Sequence, residues 1–336
     1  ILNELKWALE RDSFPGDKII YPVGDGLYCD PQLGLVRLPF PLADIMDMRA
    51  RYLDAIAEVA LADVVIVTLG YVEAWYDREL DLYLNIAPPP RICKAEPERF
   101  EFRVLGYDDI LDALEGIYAL LKAHREKPLK MLLTVSPVPL ASTFRDMDVM
   151  LANTYSKSVQ RAAVEAFVTS HDASYFPSYE YVTLTDHKFA WNNKDFRHVR
   201  QETVDRIMAD VLKEYVGESP QQQLLYTRGH ATAKLDNGEN ETACELIEAY
   251  SANNTLDEEL LWIYAQALRK SGRRQEAIDT CVSLIDLGSS YDRPAARTAL
   301  ATMKQLGLTA EMHALAEWYQ ENIPDDADFI APFLAA

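Results

Sequence analysis

The sequence has little positive charge, few cysteines and no long hydrophobic run. Its 33 Lys and Arg residues stand against 53 Asp and Glu residues, which gives a formal net charge of −20. An acidic surface repels phosphate groups, so nucleic acid and anionic lipid surfaces are not expected as partners. No apolar stretch approaches the roughly 18 residues of a membrane span. The sequence therefore predicts no membrane-spanning segment.

Four cysteines are spread along the chain, Cys29, Cys93, Cys244 and Cys281. They show neither a CxxC motif nor another metal-ligand spacing, and no further His or Cys stands at ligand spacing from the adjacent Asp186 and His187. Scattered cysteines are typical of a reducing compartment. We therefore expect a cytoplasmic protein without a metal or a cofactor. Because the chain begins at Ile1 rather than Met, targeting is not read from this end.

The first two-thirds of the chain alternates between strand-like and helix-like segments. Residues 62–70 and 129–137 form short apolar runs, typical of parallel strands that are buried on both faces. Helices are predicted at about 44–61, 107–126, 147–170 and 199–215, with a further extended segment at 179–184. Strands that alternate with helices predict an open parallel α/β sheet.

After a polar segment at 217–223, the sequence becomes helical and repeats every 34 residues. The repeat relates Ala231, Ala265 and Ala299, then Gly238 and Gly272, then Ala243 and Ala277. This period is typical of tetratricopeptide repeats, in which small residues let paired helices approach and glycine makes the turn between them. A generic array of helical hairpins is the alternative. We predict an α/β domain at 1–216 and a tetratricopeptide-like domain at 224–336.

Asp195 and His198 are the best candidates for catalysis. An Asp placed three residues before a His, at the start of a helix, allows the carboxylate to accept the imidazole Nδ1–H. The other ring nitrogen can then act as a general base. The alternative is structural, with the Asp at a helix entry and the His on a solvated turn. The position favours catalysis, since ligands of open parallel sheets bind beyond the carboxyl ends of the strands.

Gly70 and Ser136 follow the two predicted strands. Gly70 allows close backbone approach and could present an amide to an oxyanion, or it simply ends the strand while Trp75 packs on the sheet. Ser136 lacks the glycines of a G-x-S-x-G nucleophile elbow. We interpret the segment around Ser136 as a rigid turn at the rim of the sheet.

Five segments in order resemble the motifs of bacterial GSCFA-domain proteins. They are TLGYVEAW at 68–75, TVSPVPL at 134–140, NTYSKS at 153–158, YFPSYE at 175–180 and DFRH at 195–198. The family is similar to the SGNH hydrolases, Ser-His-Asp esterases and acyltransferases with a flavodoxin-like sheet. The resemblance therefore implies an SGNH-like domain with His198 as the general base, Asp195 as the residue that orients it, and Gly70 and Glu73 on the oxyanion and substrate rim. Ser136, which ends the second strand, is expected on the same rim.

The sequence departs from the family pattern at the nucleophile. The family is named for an N-terminal Gly-Ser-Cys-Phe-Ala motif whose serine occupies the nucleophile position, and these 336 residues do not contain that motif. Residues 1–10 resemble the helix that follows it, so we expect that the nucleophile strand has been lost with the N-terminus. Val199 also replaces the proline that usually follows the histidine, and no Asn matches the Gly-x-Asn motif of SGNH enzymes.

Two functions are consistent with these features. The first is a serine-dependent acyl-ester hydrolase or O-acyltransferase, for which the resemblance suggests carbohydrate esters as substrates. The second is a non-catalytic scaffold that binds a protein partner through its helical repeats, since a stack of repeats offers an extended binding surface. A Gly-Ser-Cys-Phe-Ala sequence encoded upstream of Ile1 would favour the enzyme.

Overall fold

The computed structural model, which describes residues 1–34, 38–192 and 194–335, contains a parallel three-stranded sheet in its N-terminal part. The chain divides into two compact units, Ile1–Leu184 and Thr185–Ala336. The first unit is mixed α/β, as predicted, and the second is built from helices.

The first unit contains eight strands and six α-helices among its described residues. The strands are β1 (Tyr21–Gly24), β2 (Leu27–Cys29), β3 (Val64–Leu69), β4 (Glu73–Asp77), β5 (Leu82–Leu84), β6 (Phe100–Val104), β7 (Lys130–Val135) and β8 (Ala173–Tyr175). The helices are α1 (Leu2–Leu9), α2 (Leu42–Ala57), α3 (Pro90–Ala95), α4 (Tyr107–Ala123), α5 (Val149–Ser170) and α6 (Ser178–Leu184).

The parallel sheet has the order β3-β7-β8. The two apolar runs predicted as strands are confirmed as β3 and β7. The central strand β7 is buried on both faces from Met131 to Val135, as expected. At the sheet edge, β3 buries Val65, Val67 and Leu69 but leaves Ile66 exposed, so only one of its faces is covered.

The prediction of an extended segment at 179–184 is wrong. The third parallel strand is β8, and residues Ser178–Leu184 form helix α6. Tyr, Val and Thr favour strands by propensity, but packing overrides that preference here. Ser178 and Val182 lie one helical turn apart and are both buried, so the segment has a helical rather than an alternating pattern of burial.

Two antiparallel sheets were not predicted. β1 pairs with β2, and β4 lies between β5 and β6. The second core of this unit packs around these strands and α2, whereas the first core lies between the parallel sheet and helices α4 and α5. The four predicted apolar positions of α4, Ile110, Leu114, Ile117 and Leu121, are all buried in that first core.

The second unit is a succession of helices. They are α7 (His187–Ala190), α8 (Gln201–Tyr215), α9 (Pro220–Asp236), α10 (Asn240–Ser251), α11 (Glu258–Ser271), α12 (Arg274–Asp286), α13 (Asp292–Leu306), α14 (Thr309–Asn322) and α15 (Ala327–Leu334). From α8 onwards each helix packs against the next along the chain. Among the described residues, no helix combines the length and the apolar character needed to cross a bilayer.

The 34-residue spacing coincides with equivalent places in three helical hairpins. Ala231, Ala265 and Ala299 lie in the first helix of each hairpin and have no exposed surface. Gly238 and Gly272 have positive φ, +80° and +88°, in the turns between paired helices, a conformation that glycine adopts without strain. The C-terminal region is thus consistent with helical repeats.

Candidate active site

Asp195 and His198 form the hydrogen bond that their spacing predicts. The His198 Nδ1 lies 2.5 Å from the Asp195 Oδ2. The other carboxylate oxygen accepts the backbone N–H groups of Arg197 at 3.0 Å and His198 at 3.1 Å. The bond from the imidazole, together with these two amides, holds the pKa of the Asp195 carboxyl well below its usual value.

This geometry assigns different roles to the two ring nitrogens of His198. A carboxylate accepts hydrogen bonds only, so it selects the tautomer that carries its proton on Nδ1. The basic nitrogen is then Nε2, on a side chain that is 60% exposed. The pair can therefore take a proton from a hydroxyl group and return it to a leaving group.

A closed loop before α8 positions the pair. Trp191 and Val199 form an antiparallel bridge across its base. Inside the bridge, the N–H of Asn192 donates to the carbonyl of His198 at 2.8 Å, and the N–H of Phe196 donates to the carbonyl of Asn192 at 2.8 Å. Because all of these contacts are local in sequence, the motif alone was enough to predict the pair.

Gly70 and Ser136 lie side by side at the carboxyl edge of the parallel sheet. The N–H of Ser136 donates to the carbonyl of Leu69 at 2.8 Å. The Ser136 hydroxyl accepts the N–H of Val138 at 3.3 Å, which fits the expected rigid turn. A Cβ atom added to Gly70 would meet no heavy atom within 4 Å, so the space in front of this residue is open.

One turn of α5 holds the backbone that follows Gly70. Lys157 Nζ donates to the Gly70 carbonyl at 2.8 Å, and the Ser156 hydroxyl accepts the Val72 N–H at 3.2 Å. In the amide orientation that satisfies both polar atoms of Gln160, its nitrogen donates to the same Gly70 carbonyl and its oxygen accepts the Tyr71 N–H. The amides of Tyr71 and Val72 are therefore engaged within the protein.

Lys157 was not identified as a candidate from the sequence. Its side chain is buried, and the ammonium lies 4.6 Å from the centre of the Tyr71 ring. Loss of hydration lowers the pKa of Lys157 to about 8. The available signal was the polar set Ser156, Lys157 and Gln160 on the helix face that also buries Ala163 and Val164.

Glu73, the third rim candidate, binds the loop that follows β7. Its Oε1 accepts the Thr143 hydroxyl at 2.5 Å, and its Oε2 accepts the Phe144 N–H at 3.1 Å. Glu73 also begins β4, the central strand of an antiparallel sheet. Both carboxylate oxygens therefore stabilise the loop.

No group of three or more His, Cys, Asp or Glu residues in the described ranges is placed to hold a metal ion. Asp186 instead caps α7 by accepting the N–H of Lys188 at 3.0 Å. The structure brings together Asp195 with His198 in the second unit, and Gly70 with Ser136 in the first.

Comparison with known families matches residues 1–210 to the GSCFA family. The match covers more than half of the chain and includes all five candidate site residues, so the chain belongs to the GSCFA family. No match to the chain was found among curated proteins or among solved structures.

Proposed function

We propose that this member of the GSCFA family is a serine-dependent acyl-ester hydrolase or O-acyltransferase. The observation that carries the proposal is the 2.5 Å hydrogen bond between His198 Nδ1 and Asp195 Oδ2, in a His198 side chain that is 60% exposed. An orienting carboxylate and a solvent-accessible imidazole are two of the three parts of a serine hydrolase triad. Carbohydrate esters are the proposed substrate class.

The proposed mechanism has two acyl-transfer steps. His198 Nε2 takes the proton from a serine hydroxyl as the serine oxygen attacks the ester carbonyl, and it returns that proton to the leaving alcohol. Water or an acceptor alcohol then releases the acyl group by the reverse proton path. The serine is proposed to come from a Gly-Ser-Cys-Phe-Ala motif outside these 336 residues.

The proposed SGNH-like classification rests on the parallel sheet β3-β7-β8 and on the ordered motifs of the family. Gly70 and Glu73 are assigned to the substrate rim by the same resemblance, and Ser136 is assigned to it by its position after β7. For Gly70, its own amide is the proposed oxyanion donor, since the two amides that follow it are already bonded to α5.

Substitution of the pair tests the proposal in the protein with its encoded upstream residues. Activity on an acetyl ester should fall by about 10²–10⁴-fold in His198→Ala, because the general base is lost. Asp195→Asn should lower kcat by up to about 10⁴-fold, because the imidazole then adopts the wrong tautomer. The double variant should be little worse than His198→Ala, because the two residues act as a unit.

His124→Ala is the matched control, because it removes an imidazole outside the site. Additive losses in the double variant, or full activity in His198→Ala, would show that the pair is structural. Robust turnover by residues 1–336 alone would make Ser136→Ala the next variant, since Ser136 lies at the sheet edge.

The second candidate function is binding of a protein partner through tetratricopeptide-like repeats. It is favoured by a cleft of about 470 Å³ beside α9 and α10, whose mixed lining includes the amide and tyrosine side chains of Gln222, Tyr226, Tyr250, Asn253 and Asn254. Amides can bond both donors and acceptors of a peptide backbone. A full-length protein without any esterase activity would favour this function over the first.

A further inference from the structure

Phe196, between the two residues of the pair, has a backbone conformation that its side chain disfavours. Of the described non-glycine residues, Asp25, Asp81 and Phe196 have positive φ, and for Phe196 the angle is 52°. Asp tolerates this left-handed region because its short polar side chain can bond locally. A bulky aromatic residue does not, and its presence there is a genuine outlier.

The turn requires a positive φ at position 196, but it does not require an aromatic side chain there. Phe196 lies inside the turn that is closed when Asp195 Oδ1 accepts the N–H groups of Arg197 and His198. Glycine or asparagine would satisfy that turn without strain. The ring does not contribute much packing either, since Phe196 is 67% exposed. Strained residues of this kind cluster at functional sites.

Phe196 lies close in the chain to His198, and in the proposed reaction His198 meets the alcohol portion of the ester. Only Arg197 stands between Phe196 and His198 in the chain, so the Cα atoms of Phe196 and His198 lie within about 7 Å of each other. In the proposed reaction His198 returns its proton to the oxygen of the leaving alcohol. The alcohol portion of the ester must therefore come close to the imidazole, and so close to the loop that carries both His198 and Phe196.

We infer that Phe196 is a specificity-determining residue whose ring contacts the alcohol portion of the substrate, and that this alcohol carries a ring with an apolar face. The inference rests on the proposed acyl-transfer function. A phenyl ring offers no hydrogen bond and prefers a flat, C–H-rich surface. Pyranose and carbocyclic alcohols share that surface, whereas a short linear alcohol lacks it.

The kinetic test compares three acetyl esters that differ only in the alcohol: ethyl acetate, cyclohexyl acetate and methyl 6-O-acetyl-glucopyranoside. Phe196→Asn, in the protein with its encoded upstream residues, should raise KM for the two ring esters by about threefold to tenfold. The change for ethyl acetate, whose alcohol has no ring, should be smaller than the change for either ring ester. Phe196→Tyr should restore the wild-type values. A response to only one ring ester would identify the kind of ring.

Stability provides a readout that separates this role from a structural one. Phe196→Asn relieves the backbone strain, so its melting temperature should be equal to or above that of the wild type. A lower melting temperature together with a uniform loss on all three esters would mean that Phe196 supports the loop, and the inference would be overturned.

A binding measurement keeps the inference independent of turnover. The chain with 4-fluorophenylalanine at position 196 is titrated with cyclohexanol, methyl glucopyranoside and ethanol while the 19F resonance is followed. A shift with either ring alcohol but not with ethanol supports the contact, and equal or absent shifts overturn it. If the wild type hydrolyses none of the esters, the proposed function fails, while the 19F result still decides the contact.

Discussion

Lys157 is a charged residue that the fold places inside the protein. Its Nζ donates to the Gly70 carbonyl and lies against the Tyr71 ring, and burial lowers its pKa from 10.5 to about 8. Removing the ammonium from water is unfavourable, but its hydrogen bond to the Gly70 carbonyl fixes the turn after β3. Such a group couples folding to pH in alkaline solution.

The free energy of unfolding of the wild type should rise with pH in alkaline solution, and Lys157→Met should abolish the part of that rise that comes from Lys157. Between about pH 8 and 10.5 the unfolded chain retains the Lys157 proton and the folded chain has lost it, so the free energy of unfolding increases with pH. The wild-type free energy of unfolding should therefore gain about 1–3 kcal/mol relative to the variant from pH 8 to pH 10. Urea denaturation at a series of pH values measures the difference.

Lys6→Met, which removes an exposed lysine from α1, controls for the change in net charge. If wild type, Lys157→Met and the control show the same dependence on pH, Lys157 is hydrated in solution and the account of its burial is wrong.

At the scale of elements, the sequence predicted the helices and strands whose apolar pattern lies within their own residues. The apolar runs of β3 and β7 and the buried stripe of α4 needed no knowledge of their neighbours. The site shows the same division. Asp195 and His198 are three residues apart and were predicted, whereas Lys157 and its acceptor Gly70 are 87 residues apart and the contact was not.

The antiparallel strand β4 was missed because distant residues determine it. Its sequence, EAWYD, has mixed polarity and no clear alternation. Asp77 is buried, and its carboxylate accepts hydrogen bonds from the Tyr21 hydroxyl at 2.6 Å and from Arg99 Nη2 at 2.8 Å. Trp75 packs its ring against Phe102 of the neighbouring strand. Propensity cannot report such pairings.

Gly229 determines how closely α8 and α9 approach. A Cβ atom at this position would lie 2.9 Å from the backbone oxygen of Glu202 and would also overlap Arg206 Cγ. Gly229→Ala should therefore force the helices apart and lower the free energy of unfolding by about 1–2 kcal/mol, despite the better helix propensity of alanine. Urea or thermal denaturation followed by circular dichroism measures the change.

Gly116→Ala in α4 is the matched control, because it makes the same gain in helix propensity. Its Cβ would meet only the Leu2 side chain, at 3.1 Å from Cδ2, and a terminal methyl group can move. We expect it to be neutral or to stabilise by up to about 1 kcal/mol. Equal effects of the two substitutions would mean that Gly229 is not a close contact.

At the scale of the whole molecule, three boundaries place α8 differently. The sequence predicts an α/β domain that ends at 216, and the family match ends at 210, within α8. The compact units divide between Leu184 and Thr185, which assigns α8 to the helical unit. Within that unit α8 packs along α9, with Gly229 at their contact. The assignment decides which part of the chain supports the loop that carries His198.

Two fragments distinguish these boundaries. Residues 224–336 correspond to the predicted repeat domain, whereas 185–336 adds α7, α8 and the start of α9. Removing α8 exposes the face of α9 around Gly229, where buried Thr232 also lies, three residues further along the helix. We therefore expect the longer fragment to melt cooperatively and at a higher temperature, because the packing of α8 against α9 buries apolar surface. Equal melting temperatures would instead support a boundary at 217–223, with α8 stabilised by the α/β domain and not by the repeats.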